Sequence, residues 1–237
     1  MHRLRALRRW QKILLVLLLL LGLAVLAFVI WASQVFPAEP IARDIAKKYS
    51  VTNRDSAIVI EPSSANGRGL VFIPGAKVDS VAYEYKLSGL VDAGYTVVIT
   101  KPFLNLAFFD QRSLSTFTQY APTVKQWLVG GHSLGGVRAC QYASQPGVVG
   151  LVLFGSYCIN DVSVPTISLR GSNDQLTTQH DVDNAKAKLK NARYVLVDGA
   201  DHAAFGDYGV QPGDGEMTTR DELVKQAITD GVMSLKR

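Results

Sequence analysis

The strongest chemical signal in the chain is carried by five consecutive residues, Gly131, His132, Ser133, Leu134 and Gly135. An apolar run, Trp127 to Gly130, precedes them and a helix-like segment follows, so the motif sits where a strand, a sharp turn and a helix meet. In that setting a serine is presented at the tip of a strained turn, with small residues where strand and helix come close and a helix N-terminus that favours negative charge. A serine so placed is a nucleophile in need of a base. Four histidines are available. His2 lies in a basic N-terminal arm, and His132 belongs to the turn itself, its side chain expected to point away from the serine hydroxyl. His180 falls on a helix-like stretch, Thr178 to Leu189, and reads as an exposed surface residue. His202 follows the strand-like run Tyr194 to Val197 and the turn Asp198 to Asp201, on a loop at the carboxyl end of a sheet, and is the candidate base.

A histidine base needs a carboxylate to fix its tautomer and to stabilise the imidazolium it forms. Asp174 fits, because the run Pro165 to Leu169 and the turn Arg170 to Asn173 deliver it to the same edge, and the chain order Ser133, Asp174, His202 is the order such a sheet requires. Asp201 is a rival but adjoins His202, where side chains seldom face each other; Asp161 is a second rival that reads as a turn or capping residue. Two backbone N–H groups should bind a developing oxyanion. One is that of Leu134, and the other comes from the loop Pro74-Gly75-Ala76-Lys77, with Ala76 as the donor and Lys77 as the alternative. Loss of one such donor typically costs about 3 kcal/mol of transition-state stabilisation.

These groups need a frame to position them. Short β-branched runs, apolar at successive positions, predict strands at Ser56 to Ile60, Gly69 to Ile73, Thr96 to Thr100, Trp127 to Gly130, Gly150 to Phe154, Thr166 to Leu169 and Tyr194 to Val197. Helix-like stretches lie between them at Val81 to Ala93, Phe117 to Gln126, Leu134 to Ser144 and Thr178 to Leu189. A last one opens on a capping box from Thr219 to Glu222 and runs towards Leu235. The alternation predicts a doubly wound, mostly parallel α/β sheet of about seven strands. Ser63 to Gly67 reads as a hairpin turn, so the first two strands are expected to pair antiparallel.

The segments Phe72-Ile73-Pro74-Gly75, Gly131-His132-Ser133-Leu134-Gly135-Gly136, Gly171-Ser172-Asn173-Asp174 and Asp201-His202 together resemble the α/β-hydrolase superfamily. More narrowly they are similar to its compact, lidless, dienelactone-hydrolase-like bacterial members, over about residues 56 to 235. Dienelactone hydrolases proper use a cysteine nucleophile where this chain has Ser133, so their particular substrate is not carried over. The resemblance implies hydrolysis of an ester, thioester or amide through an acyl-enzyme, without a cofactor. An acyltransferase with the same triad, or a catalytically silent binding domain on the same fold, are the alternatives.

The N-terminus is a different kind of segment. Arg3, Arg5, Arg8, Arg9 and Lys12 account for the whole net charge of +5 in this chain of 237 residues, and basic and acidic side chains balance downstream. That distribution argues against a nucleic-acid-binding face, and 48% apolar against 19% charged residues excludes a disordered chain. Ile13 to Ala32 carries no charged side chain and, as a helix of about 30 Å, matches the hydrocarbon thickness of a bilayer. It reads as an uncleaved signal-anchor with the arm cytoplasmic and the rest of the chain outside. Ala32 and Ala38 keep open the reading as a cleaved signal. The expected organisation is a basic arm (1–12), a transmembrane anchor (13–32), a linker and lead-in with Pro37 and Pro40 (33–55), and the α/β-hydrolase domain (56–237) that takes a small-molecule acyl substrate.

Three further features stay open in the sequence. Cys140 and Cys158 fall on neighbouring segments in a compartment that permits oxidation, as a disulfide or as two buried thiols. The loop Pro102 to Phe109 lines an acyl or aromatic pocket, or packs as core under the sheet edge. Phe205 to Gly215 wraps over the mouth of the site or merely connects to the last helix, and its acids lack the ligand spacing of a calcium loop, so no metal is expected.

Overall fold

Eight strands form one mixed sheet in the order β1-β2-β4-β3-β5-β6-β7-β8, where β1 is Ser50–Asn53, β2 Ala57–Glu61, β3 Arg68–Ile73, β4 Thr96–Thr100, β5 Gln126–His132, β6 Val148–Phe154, β7 Thr166–Gly171 and β8 Ala192–Val197. The computed structural model describes residues 8–236; the first seven residues of the basic arm, His2 among them, lie outside the described residues. From β4 to β8 every neighbouring pair is parallel, and β1 and β2 add antiparallel at one side. The strands are apolar at successive positions because both faces are covered. Leu70, Phe72, Val97, Ile99, Val152, Phe154, Ile167 and Leu169 point into one core layer, while Val71, Ile73, Val98, Val129, Leu151 and Leu153 point into the other.

Seven α-helices accompany the sheet among the described residues. α1 (Arg9–Ser33) is a unit apart from Val35 onward, and is long and apolar enough to cross a membrane, a property that anchors and signal sequences share. In the second unit α2 (Pro40–Arg43), α3 (Glu84–Asp92) and α7 (Asp221–Met233) cover the first core layer, with Leu87, Leu90, Val224, Ile228 and Val232 buried. The short α4 (Ser115–Thr118) and α5 (Leu134–Tyr142) cover the second, with Phe117, Ala139 and Cys140 buried. α6 (Gln179–Ala185) lies between β7 and β8.

Four details depart from the sequence reading. β2 and β3 do not form a hairpin: β4 lies between them, pairing antiparallel with β2 and parallel with β3. The turn before β3 is instead tied to the end of the α3 crossover, where Asn66 N donates to Gly94 O at 2.9 Å and Asn66 Nδ2 to Ala93 O at 2.8 Å. β1 is an eighth strand, short, half-exposed and too polar to stand out. The helix expected over Phe117 to Gln126 stops at Thr118, because Pro122 and its restricting effect on Ala121 end regular structure before β5. The capping box at Thr219 does not form; Thr218 N is drawn to Gly199 O at 2.8 Å, and α7 starts one residue later with Arg220 as its N-cap.

An ion cluster joins α3 to α7. Lys86 is fully buried, with Nζ 2.5 Å from Asp207 Oδ1 and in contact with Asp221. Burial raises the Asp207 carboxyl to about 6 despite the lysine beside it. Removing one member of such a pair leaves a buried charge uncompensated. Lys86→Met is therefore expected to destabilise the domain by about 3–5 kcal/mol at pH 8, measured by denaturant unfolding, with a smaller penalty below pH 6 where Asp207 takes up a proton. Glu84, in the first turn of α3, is also buried; desolvation, aided by Asp79, raises it to about 7. Its ionisation opposes folding, since the native state holds the proton more tightly than the unfolded chain. Glu84→Gln should thus gain melting temperature over the parent progressively between pH 4.5 and 7 and by a constant amount above that.

Candidate active site

The parallel strands β3, β5, β6, β7 and β8 end on the same edge, and their following loops carry Ala76, Ser133, Gly155, Asp174 and His202. At the end of β5 the chain turns into α5 through Ser133, whose φ of 51° and ψ of −124° are unusual for any residue with a side chain. Such a conformation costs on the order of 1–3 kcal/mol and persists only when its surroundings hold it. Here Ser133 N donates to Phe154 O at 3.0 Å, and Ser133 O accepts from Ser156 Oγ at 2.7 Å and from Gly136 N at 3.0 Å. Gly135 keeps the turn tight, since a Cβ there would collide with the backbone of Ile73 and Pro74 at the end of β3.

Asp174 and His202 meet below the same edge. His202 Nδ1 lies 3.0 Å from Asp174 Oδ2, and both side chains are almost fully buried. The other carboxylate oxygen, Oδ1, accepts from Leu176 N at 2.9 Å and Thr177 N at 2.7 Å, which fixes the acid's orientation. His202 Nε2 is buried without a hydrogen-bond partner among the described residues. Gly155, with φ +46°, makes room for the pair: a Cβ there would stand 2.8 Å from His202 Nδ1 and 3.0 Å from Asp174 Oδ2. The rival carboxylates are occupied elsewhere. Asp201 Oδ1 accepts from Ala204 N at 2.7 Å, and Asp161 makes an exposed ion pair with Lys188 at 3.3 Å. His180 is exposed on α6.

In the loop after β3, Gly75 N donates to Tyr83 Oη at 2.9 Å, Lys77 N to Asn105 O at 2.8 Å and Val78 N to Gly75 O at 3.3 Å. Ala76 N is left without a hydrogen bond among the described residues, as is Leu134 N at the start of α5, whereas the alternative donor Lys77 is already engaged. A strap holds this loop from outside: Phe36 N donates to Lys77 O at 2.7 Å, and Asp79 N donates back to Phe36 O at 3.0 Å.

His132 has neighbours that the sequence did not point to. It is fully buried, its ring centroid 4.5 Å from that of His202 and its Nδ1 2.9 Å from Tyr83 Oη. Burial first, and the neighbouring His202 second, hold it well below the usual histidine range, so it is neutral. Cys140 on α5 and Cys158 after β6 form a disulfide, with Cα atoms 5.6 Å apart, which ties the helix behind Ser133 to the loop that holds Gly155 and Ser156. The loop Pro102 to Phe109 packs as core only in part. Phe103, Phe108 and Phe109 are exposed, while Leu106 and Ala107 turn inward. Phe103 and Phe109 border a cavity with Lys101 and Arg112 that neither Ser133 nor His202 lines. Among the described residues no group of His, Cys, Asp or Glu is arranged to hold a metal ion.

A sequence model of the alpha/beta hydrolase family matches residues 69–226, two thirds of the chain and all of the loops above. The chain belongs to the alpha/beta hydrolase family. No curated protein sequence matches it. Solved structures with the same fold include a thermophilic esterase from Thermogutta terrifontis (12% identity, TM-score 0.58, covering 80% of this chain and 98% of that one). A membrane phospholipase A described as a bacterial virulence factor matches at 15% identity and TM-score 0.60 over 96% of this chain and 99% of its own. A dienelactone hydrolase from Anabaena variabilis matches at 16% identity and TM-score 0.52 over 75% and 90%. These likenesses establish an α/β-hydrolase fold.

Several residues of this alpha/beta hydrolase site escaped the sequence reading. The segment after His202 does more than connect to the last helix. Phe205 stacks on Phe154 at 5.5 Å, and Asp214 accepts from both Ala203 N at 2.9 Å and Gln175 N at 3.2 Å, linking the loops of His202 and Asp174. Gly155, Tyr83 and Asp214 had no local motif to mark them; the nearest signal was the run of turn residues around Asp214. Gly155→Ala should force the Asp174–His202 pair apart, and a misplacement of about 1 Å is expected to lower turnover roughly 100-fold. Steady-state kinetics on a folded variant, checked by circular dichroism, would measure this.

Proposed function

We propose that the protein is a serine hydrolase that cleaves a carboxylic ester, or a related thioester or amide, and that α1 anchors it in a membrane. The observation that carries this reading is the buried Asp174–His202 pair, with Nε2 of the histidine unpartnered among the described residues, on the same sheet edge as the strained turn at Ser133. In this reading Ser133 Oγ attacks the carbonyl carbon while its proton passes to His202 Nε2. Asp174 stabilises the imidazolium, and the N–H groups of Leu134 and Ala76 hold the oxyanion. The tetrahedral species collapses, the leaving group departs with the proton from His202, and an acyl-enzyme remains. Water, deprotonated by His202, then attacks the acyl carbon and restores Ser133.

The freedom of the Ala76 and Leu134 amides supports the oxyanion assignment, because every other amide from Gly75 to Val78 is engaged. The length of α1, together with five basic residues on its N-terminal flank against none on the other until Arg43, supports an anchor with a cytoplasmic N-terminus. Ser133→Ala is expected to abolish hydrolysis of p-nitrophenyl acetate and labelling by a fluorophosphonate probe while leaving the thermal melt near that of the parent. Turnover that survives the substitution would overturn the assignment.

A further inference from the structure

We infer that Tyr83 and His132 are a positioning pair that holds the oxyanion loop and the base histidine in register with the nucleophile. The inference rests on the serine-hydrolase reading above and adds residues that it does not use.

Tyr83 ends the 3-10 turn before α3 and is fully buried. Its oxygen accepts from Gly75 N at 2.9 Å and lies 2.9 Å from His132 Nδ1. A phenol has one proton, and burial keeps it on the oxygen, so that proton is donated to Nδ1. Nδ1 is therefore the acceptor, and the neutral His132 carries its own proton on Nε2. One hydroxyl thus bridges two loops: Gly75 directly precedes the proposed oxyanion donor Ala76, and His132 directly precedes Ser133.

The third loop is reached by ring packing. His132 lies 4.5 Å from His202, 6.2 Å from Phe205 and 6.3 Å from Tyr208, centroid to centroid. Asp174 fixes His202 from the Nδ1 side, and the His132 ring packs against it as well. Charge matters as much as shape. During turnover His202 becomes a cation, and a protonated neighbour at this distance in a buried site would oppose it. The Tyr83 proton on Nδ1 fills the position where a second proton would bind, which keeps His132 a neutral support.

Tyr83→Phe is the decisive variant, because the ring that packs against Phe72 at 5.1 Å is kept and only the hydroxyl is lost. The expected result is a fall in kcat of about 10- to 100-fold with KM changed less than about 2-fold, since the loop is needed for the transition state rather than for substrate binding. A trifluoromethyl ketone inhibitor, which forms the oxyanion, should lose affinity in proportion to kcat/KM. His132→Asn, which keeps an acceptor near the Nδ1 position, should retain more activity than His132→Phe, which keeps a ring but gives the Tyr83 hydroxyl no acceptor. Wild-type kcat in Tyr83→Phe, or equal losses in the two His132 variants, would overturn the inference while leaving Ser133 labelling and the hydrolase reading intact. Absence of turnover and of Ser133 labelling in the parent protein would instead overturn the reading beneath it, and the inference with it.

Discussion

The site depends on one backbone constraint, the positive φ at Ser133. A side chain in that conformation is presented sharply at the strand end, and it stays there only because surrounding groups fix the backbone on both sides. Phe154 O takes the Ser133 amide, Ser156 Oγ holds its carbonyl, and Gly135 lets the end of β3 press against the turn. Each of these partners belongs to a neighbouring strand or to the loop after it. The sheet order is therefore part of the chemistry: β3 and β6 must flank β5 for the turn to exist, and they bring the Ala76 loop and Gly155 with them.

The stretch from Asp201 to Asp214 couples this edge to the rest of the fold. Asp201 caps the turn that follows His202, Phe205 fills the core against Phe154, Asp207 holds the buried Lys86, and Asp214 pins the loop of Asp174. The ion cluster between α3 and α7 ends on the same stretch of chain that carries His202. The disulfide does the corresponding work on the other face, where Cys140 and Cys158 join α5 to the β6 loop.

What could be read from the sequence was what is local. The pentapeptide around Ser133 contains its own turn, its own glycines and its own helix start, and the strands announce themselves because both faces of each are buried. Asp174 and His202 could be placed because each follows a strand by a few residues. The hairpin expectation failed because Ser63 to Gly67 is good turn sequence whichever strand comes next, and only the pairing of β4 with β3 decides that β2 must join on the far side. Nothing in the local sequence singles out Tyr83 or Gly155, and the motif alone does not show the neighbours of the His132 ring. Their contacts run across long stretches of chain, and no local pattern encodes those.

The backbone pairing of Phe36 with Lys77 and Asp79 gives the lead-in a meaning beyond that of a tether. A domain shed by cutting after Ala32 would keep Phe36 and a strapped loop. One shed after Ala38 would lose Phe36 and with it both of these backbone hydrogen bonds. The two products, differing by six residues, would thus differ in the backbone bonds that hold the loop from Pro74 to Val78.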